Sequence, residues 1–332
     1  MHVYLDESGS FSVPAIQTSS MSVVGALAVP DCIQRAIWKR YRRTRSGLPQ
    51  DGGEVKGRLL SETQVAGLVS MLIKTPVLYT VTAIDLGMHS LEAIIQHRDS
   101  QAERLTAHLG PEHHPELIAD VKALAERLKN TPPQLYAESV LIYRTAWDAL
   151  QYSTLLYSQI MPQELGSIRW TFDAKDSNRK TDWENLWHEL IAPIAQSIGL
   201  KEPLIALRER EGADYSFFDR AYKIEAGAWF NELAGGEAEH CSNIGAIFRD
   251  FTFDPGMNYG LEIADVLTNA VRRALNGNLR EDGWQYISKL IPKLRNKHRV
   301  RLISFADIDQ AANFPYASVI RKLDRYSRPL LA

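Results

Sequence analysis

The chain has 332 residues, 45% of them apolar and 23% charged, which suffices for a large core without disulfides or structural metals. Its 38 Lys and Arg against 40 Asp and Glu leave a formal charge of -2, so no global field draws it to a polyanion and any nucleic acid must be held by local patches. Cys32 and Cys241 lack CxxC or Cys/His spacing, which excludes a zinc ribbon and a secreted disulfide scaffold. No apolar run reaches the roughly 18 residues of a membrane span, and MHVYLDESGS lacks the basic start of an export signal, so the sequence predicts a soluble, cytoplasmic protein without a membrane partner.

Residues 2–7 (HVYLDE) are rich in β-formers and close at Ser8-Gly9, and residues 22–29 (SVVGALAV) end at Pro30, which together predict an antiparallel hairpin with a long tip. Residues 31–45 read as a helix. An acid-bearing turn over 51–57 precedes Ser61, after which Glu62 and Gln64 open an apolar-periodic helix ended by Pro76. Residues 77–85 (VLYTVTAID) alternate as a third strand. Two helices are expected over 88–130, then a long helix over 135–160 that feeds a nearly apolar strand at 168–172 and the loop AKDSNRK. Beyond it the pattern predicts a helix over 183–199, a strand at 203–207, a helix over 215–233 and a strand at 246–253. A helix over 261–275, another over 284–297 and a last strand at 300–305 complete the series.

No linker divides the chain. The expectation is a single α/β domain over residues 1–332, built on a mixed sheet whose first strands are antiparallel and later ones parallel, flanked by helices. Insertions are expected at about 88–131 and 200–245, with a helical and basic C-terminal extension over 276–332.

Asp6 in the first strand, Asp173 at the end of a central strand and Asp265 inside an apolar helix have no obvious use in folding. A buried unpaired carboxylate costs several kcal/mol, so each calls for a cation, a donor or water. Glu262 lies one turn before Asp265 on the same helix face. A divalent ion would satisfy Asp6, Asp173, Asp265 and Glu262 together, and oxygen donors favour Mg2+ or Mn2+; the histidines show no HExxH or other zinc spacing. Two such ions about 4 Å apart can activate water and stabilise the leaving oxygen of a phosphodiester.

YLDESGSF with GALAVP, EVKGRLLSETQ, TFDAKD and GLEIADVLTNAVRR resemble the successive boxes of a prokaryotic domain-of-unknown-function family marked by an N-terminal Asp-Glu-Ser-Gly motif. The resemblance spans residues 1–86, 135–176 and 246–275. It implies a ribonuclease H-like fold in which Asp6, Asp173 and Asp265 bind metal with a glutamate as fourth member. Glu54 in the EVK box ranks first, and Glu138, which opens the helix before the fourth strand, is the alternative. The family's last box carries Gln where this chain has Glu262, so that position either adds a ligand or serves another purpose. Glu7, Lys56 and Asp176 are secondary candidates: Glu7 points to the opposite sheet face from Asp6, Lys56 could reach a phosphate but reads more simply as a surface lysine, and Asp176 belongs to TFDAKD.

The activity implied is a divalent-metal-dependent nuclease acting on DNA or RNA. The rival is a catalytically inactive ribonuclease H-like module that binds nucleic acid or protein, with phage defence as a context the family suggests; an oligomer is compatible with either. The basic runs Lys39, Arg40, Arg42, Arg43, Arg45 and Lys293, Arg295, Lys297, Arg299, Arg301 could grip phosphates, with Trp38, Tyr41 and Trp284 as stacking partners, although charge runs are usually solvated helix faces. His108, His113 and His114 lack a second ligand pair and read as a loop.

Overall fold

The computed structural model describes residues 1–330 except 17, 108, 112, 175–180, most of 182–201, 209, 228–237, 294–299 and 307–315. Its main sheet contains β1 (His2–Ser8), β2 (Met21–Val29), β3 (Leu78–Asp85), β4 (Arg169–Asp173), β5 (Phe251–Asp254) and β6 (Val300–Leu302), in the order β6-β3-β2-β1-β4-β5. β2 runs antiparallel to both β1 and β3, whereas β4 is parallel to β1, β5 to β4 and β6 to β3. β2 sits inside the sheet and every one of its residues is buried, which is why MSVVGALAV is apolar almost throughout instead of alternating.

Side-chain alternation divides the core in two. Val3, Leu5, Val24, Ala26, Trp170 and Phe172 face α5 (Pro133–Ile160), on which Ala137, Leu141, Leu150 and Tyr157 are buried. Tyr4, Val23, Leu27, Tyr79 and Val81 face the other way, under α1 (Asp31–Arg45), α2 (Glu62–Leu72) and α7 (Tyr259–Leu275). The helical pair α3 (Leu91–Thr106) and α4 (Pro115–Lys129) packs together beside the start of α5. Among the described residues no helix is long and apolar enough to cross a membrane.

Local chemistry fixes the helix starts. Ser61 and Gln64 form a reciprocal capping box at α2, with Gln64 Oε1 accepting from the Ser61 N–H at 2.9 Å. Asn258 caps α7, its Oδ1 accepting from Gly260 N–H at 2.9 Å. α7 lies close on the sheet because glycines leave room: a Cβ on Gly25 would stand 2.2 Å from Thr268 Oγ1, and one on Gly260 would stand 2.4 Å from the Tyr4 ring.

Four expected elements are corrected. Residues 203–207 form no strand, because the Gln151 side-chain amide takes both the N–H and the carbonyl of Ile205, at 2.9 and 3.1 Å, in place of a neighbouring strand. The helix expected over 215–233 is α6 (Ser216–Tyr222), which gives way to strand Lys223–Glu225 paired with His240–Ser242. The run 246–253 splits into a helical turn at Ile244–Ile247 and β5. The helix expected from 284 is a turn at Glu281–Trp284 continued by a 3-10 segment at Gln285–Leu290; α8 (Ala317–Arg325) follows β6. The helix over 183–199 lies largely outside the described residues.

Candidate functional site

The register of the central strands gathers acids at one end of the sheet. Leu5 pairs with Phe172, so Asp6 and Asp173 follow side by side, and Asp173 is paired in turn with Asp254 at the end of β5. Alternation turns these three side chains toward α7, the face shared with Tyr4 and Thr171. Across β2 the partner of Asp6 is Gly25. The missing side chain there lets α7 approach, and α7 carries Asp265 over the same end.

A short hairpin, Gln50–Asp51 with Glu54–Val55, and the turn Gly57–Leu59 close the site from the side. Gly57 N–H donates to Asp265 Oδ2 at 2.7 Å. Only glycine permits this approach, since a Cβ at 57 would be 2.8 Å from Asn269 Cβ and 2.9 Å from the Asp265 carbonyl oxygen. The same hairpin delivers Glu54 and Lys56, whose Nζ and Oε2 are 2.6 Å apart. Asp6, itself buried, accepts the Glu7 N–H at 2.7 Å.

Electrostatics records the crowding. Burial first, then the charges of Glu54, Asp265 and Asp254, push Asp173 up to about 6, with Lys56 opposing them. Burial also raises Asp265, against the Gly57 N–H and Lys56. For Lys56 burial disfavours the charge, but Glu54, Asp173 and Asp265 outweigh it and raise the ammonium's pKa. Buried Tyr79 is raised as well, and the charges of both Asp6 and Asp265 act on it. The plain surface reading of Lys56 is therefore corrected: it is half-buried and stands among carboxylates.

Glu262 is also corrected. Although one turn from Asp265, it accepts from Arg45 Nη2 at 2.6 Å, Arg45 Nε at 2.7 Å, the Tyr41 hydroxyl at 2.9 Å and Val55 N–H at 3.1 Å. Those donors occupy its oxygens, so it anchors α1 and the hairpin and is no metal ligand here. Glu138 is buried in α5, on the other side of the sheet from α7, where burial pushes it up to about 7. Glu7 follows the alternation to that same opposite side, and Asp176 lies outside the described residues.

Of the basic runs, Lys39, Arg40, Arg42 and Arg43 are exposed on α1, but Arg45 is committed to Glu262 and Arg301 to buried Asp148, with Nε to Oδ2 at 2.6 Å. Residues 295, 297 and 299 lie outside the described residues. Tyr41 and Trp284 are buried core rings and no stacking platforms, while half-buried Trp38 packs edge-on against Tyr4 and Tyr259.

Three residues of the site escaped the sequence reading. Asp254 reads as a turn former before Pro-Gly, and its Oδ1 does accept from Gly256 N–H at 2.9 Å; the signal for more was a second acid ending a strand. Asn269 and Arg272 continue the Asp265 face at i+4 and i+7. Both donate to Ser8 Oγ, from Asn269 Nδ2 at 3.2 Å and Arg272 Nε at 2.9 Å. Among the described residues no hydrogen-bond donor reaches the buried Asn269 Oδ1.

Among the described residues no three His, Cys, Asp or Glu side chains form a ready-made cation cage. The acids are engaged singly: Glu54 turns to Lys56, Asp265 to the Gly57 N–H and Asp6 to its neighbour's N–H. No family model, no curated protein and no solved structure matches the chain.

Proposed function

We propose that the chain is a divalent-metal-dependent nuclease, hydrolysing phosphodiesters at the carboxyl ends of β1, β4 and β5. The observation that carries this reading is the meeting of Glu54, Asp173 and Asp265 around Lys56, with Asp6 and Asp254 beside Asp173 in the sheet register and Asp173 forced up to about 6. Such crowding is unfavourable for folding alone, and a hard cation relieves it. The strand order β3-β2-β1-β4-β5, antiparallel and then parallel, is the one a ribonuclease H-like fold calls for, which supports the resemblance of the Asp-Glu-Ser-Gly box.

The donor chemistry fits Mg2+ or Mn2+: the candidate ligands are carboxylates, and the orphaned Asn269 Oδ1 adds a neutral oxygen one turn beyond Asp265. Asp6, Asp173 and Asp265 would hold the ion, with Glu54 as fourth member. When bound, it supplies positive charge that polarises the phosphodiester and acidifies water. Asp173, with its pKa near 6, would give up the remainder of its proton on cation uptake. Glu54 is partly exposed and can leave Lys56, freeing the ammonium to hold a phosphate oxygen. Ser8, fixed by Asn269 and Arg272, holds the loop after β1 in place.

A second reading has its own observation: Lys56 already neutralises part of the cluster through its pair with Glu54. In a catalytically inactive nucleic-acid or protein-binding module that pair would be permanent. Cleavage of labelled DNA and RNA with Mn2+ separates the two. Asp6→Asn and Asp265→Asn are expected to lose about 100-fold or more, since even groups behind metal ligands are worth 10–100-fold. Equal activity in wild type and both variants would exclude the nuclease.

A further inference from the structure

An open cleft of about 740 Å3 runs between the loop after β1, the start of β2 and the C-terminal end of α7. Its lining mixes neutral hydrogen-bonding groups, among them Ser10, Ser20, Asn276 and Asn278, with apolar side chains such as Met21, Leu279 and Trp284, and it holds one arginine, Arg272. Its wall is preformed: Ser19 Oγ donates to buried Asp85 Oδ2 at 2.9 Å, and Ser20 N–H donates to Asp85 Oδ1 at 2.7 Å. The acid in the lining, Glu281, is paired with Lys322.

Arg272 differs from its neighbour Arg273. Arg273 Nη1 donates to the carbonyls of Leu60 and Gly57, at 2.7 and 3.3 Å, and so clamps the turn that carries Gly57. Arg272 uses its Nε on Ser8 Oγ, and among the described residues it has no carboxylate partner. Its two Nη groups are the cationic donors of the cleft. Arg272 lies seven residues beyond Asp265 on the same helix face, about 10 Å along the axis at roughly 1.5 Å per residue.

We propose that this cleft receives a phosphate of a single nucleic-acid strand, a few nucleotides from the bond at the acid cluster, with Arg272 as the anion contact. This rests on the nuclease reading for the direction of the strand. One guanidinium, with hydroxyls and amides set between apolar side chains, matches the single charge of a phosphodiester, whereas a phosphate monoester or pyrophosphate would call for further cations. The neutral donors make contacts that carry no base information, so the cleft positions the strand without specifying its sequence.

Fluorescence anisotropy of labelled 12-nucleotide single-stranded DNA and RNA on the full-length chain, in EDTA, reads binding apart from cleavage. Arg272→Gln is expected to weaken binding about 10-fold and to lower the slope of log K against log salt by roughly 0.7. Asn278→Asp places a negative charge in the cleft at an exposed position that does not touch Ser8, and it is expected to weaken binding severalfold. If melting shows Arg272→Gln to be unfolded, Asn278→Asp decides. Wild-type affinity and salt slope in the folded variants, or no saturable binding by the wild type, overturns the proposal. Asp265→Asn separates the two readings. If Asp265→Asn abolishes Mn2+-dependent cleavage while Arg272→Gln binds normally, the cleft fails and the nuclease stands. If Arg272→Gln weakens binding while Asp265→Asn cleaves like the wild type, the cleft stands and the nuclease fails.

Discussion

Glu262 and Asp265 stand one turn apart on α7 and occupy opposite electrostatic settings. Glu262 meets a guanidinium, a phenol and a backbone N–H, so its charge is matched where it is buried. Asp265 meets Asp173 and Glu54, with Lys56, one N–H and the more distant charge of Arg58 to offset them. The first arrangement stabilises the fold, while the second leaves negative charge for something else to neutralise.

The largest test of that contrast is Glu262→Ala. Removing the buried carboxylate leaves the Tyr41 hydroxyl and the Val55 N–H without their acceptor and half-buried Arg45 without its counter-charge, and unfolding in urea should show a loss of about 3 kcal/mol. A loss below about 1 kcal/mol would mean that the pair behaves as a surface bridge and that the contrast is false.

Mn2+ sharpens the comparison next. At a hundredfold excess over Kd it should stabilise the wild type by about 2.7 kcal/mol, and the rise in Tm should vanish in Asp265→Asn while surviving in Glu262→Gln. A rise that disappears with Glu262→Gln and persists with Asp265→Asn would reverse the assignment.

Asp173→Asn should act in the opposite direction to Glu262→Ala, stabilising the metal-free protein by roughly 1–3 kcal/mol at neutral pH. The folded-state pKa, about 6, lies above the unfolded value near 3.8, so the folded form holds its proton longer. The penalty is absent below the unfolded pKa, grows between the two values and is complete above pH 6. Stability therefore falls with rising pH across that window, and Asp173→Asn should flatten the fall; an unchanged pH profile argues against the crowding.

The smallest effect is expected from Lys56→Gln. Lys56 holds Asp173 down, so its loss should move the Asp173 carboxyl titration, followed by NMR, to higher pH. A downward movement would show that Lys56 is not among these acids in solution.

Two of the strands that build the site, β1 and β4, were legible in the sequence because their cause is local: short runs of aromatic and aliphatic residues with an acid near the carboxyl end. Asp6, Asp173 and Asp265 stood out as charges in apolar surroundings, which is a pattern along the chain. The role of Glu262 was illegible because its partner Arg45 is 217 residues away, and LEIAD gives the same local signal for both acids. Asp254 was hidden by a turn signal that is itself correct. The strand expected at 203–207 failed for a related reason: a side-chain amide from α5 satisfies Ile205, and no local propensity announces that.

The Val55 N–H held by Glu262 has a consequence for genetics. Val55 lies between Glu54 and Lys56, so the ion pair on α1 and α7 steadies the strand that carries Glu54 and leads into Lys56. Under the nuclease reading, a missense change at position 262, or at its arginine partner, would loosen that strand and silence the acid-bearing end without touching it. In an activity screen such an allele would masquerade as a lost ligand, and only a folding measurement made alongside would unmask it.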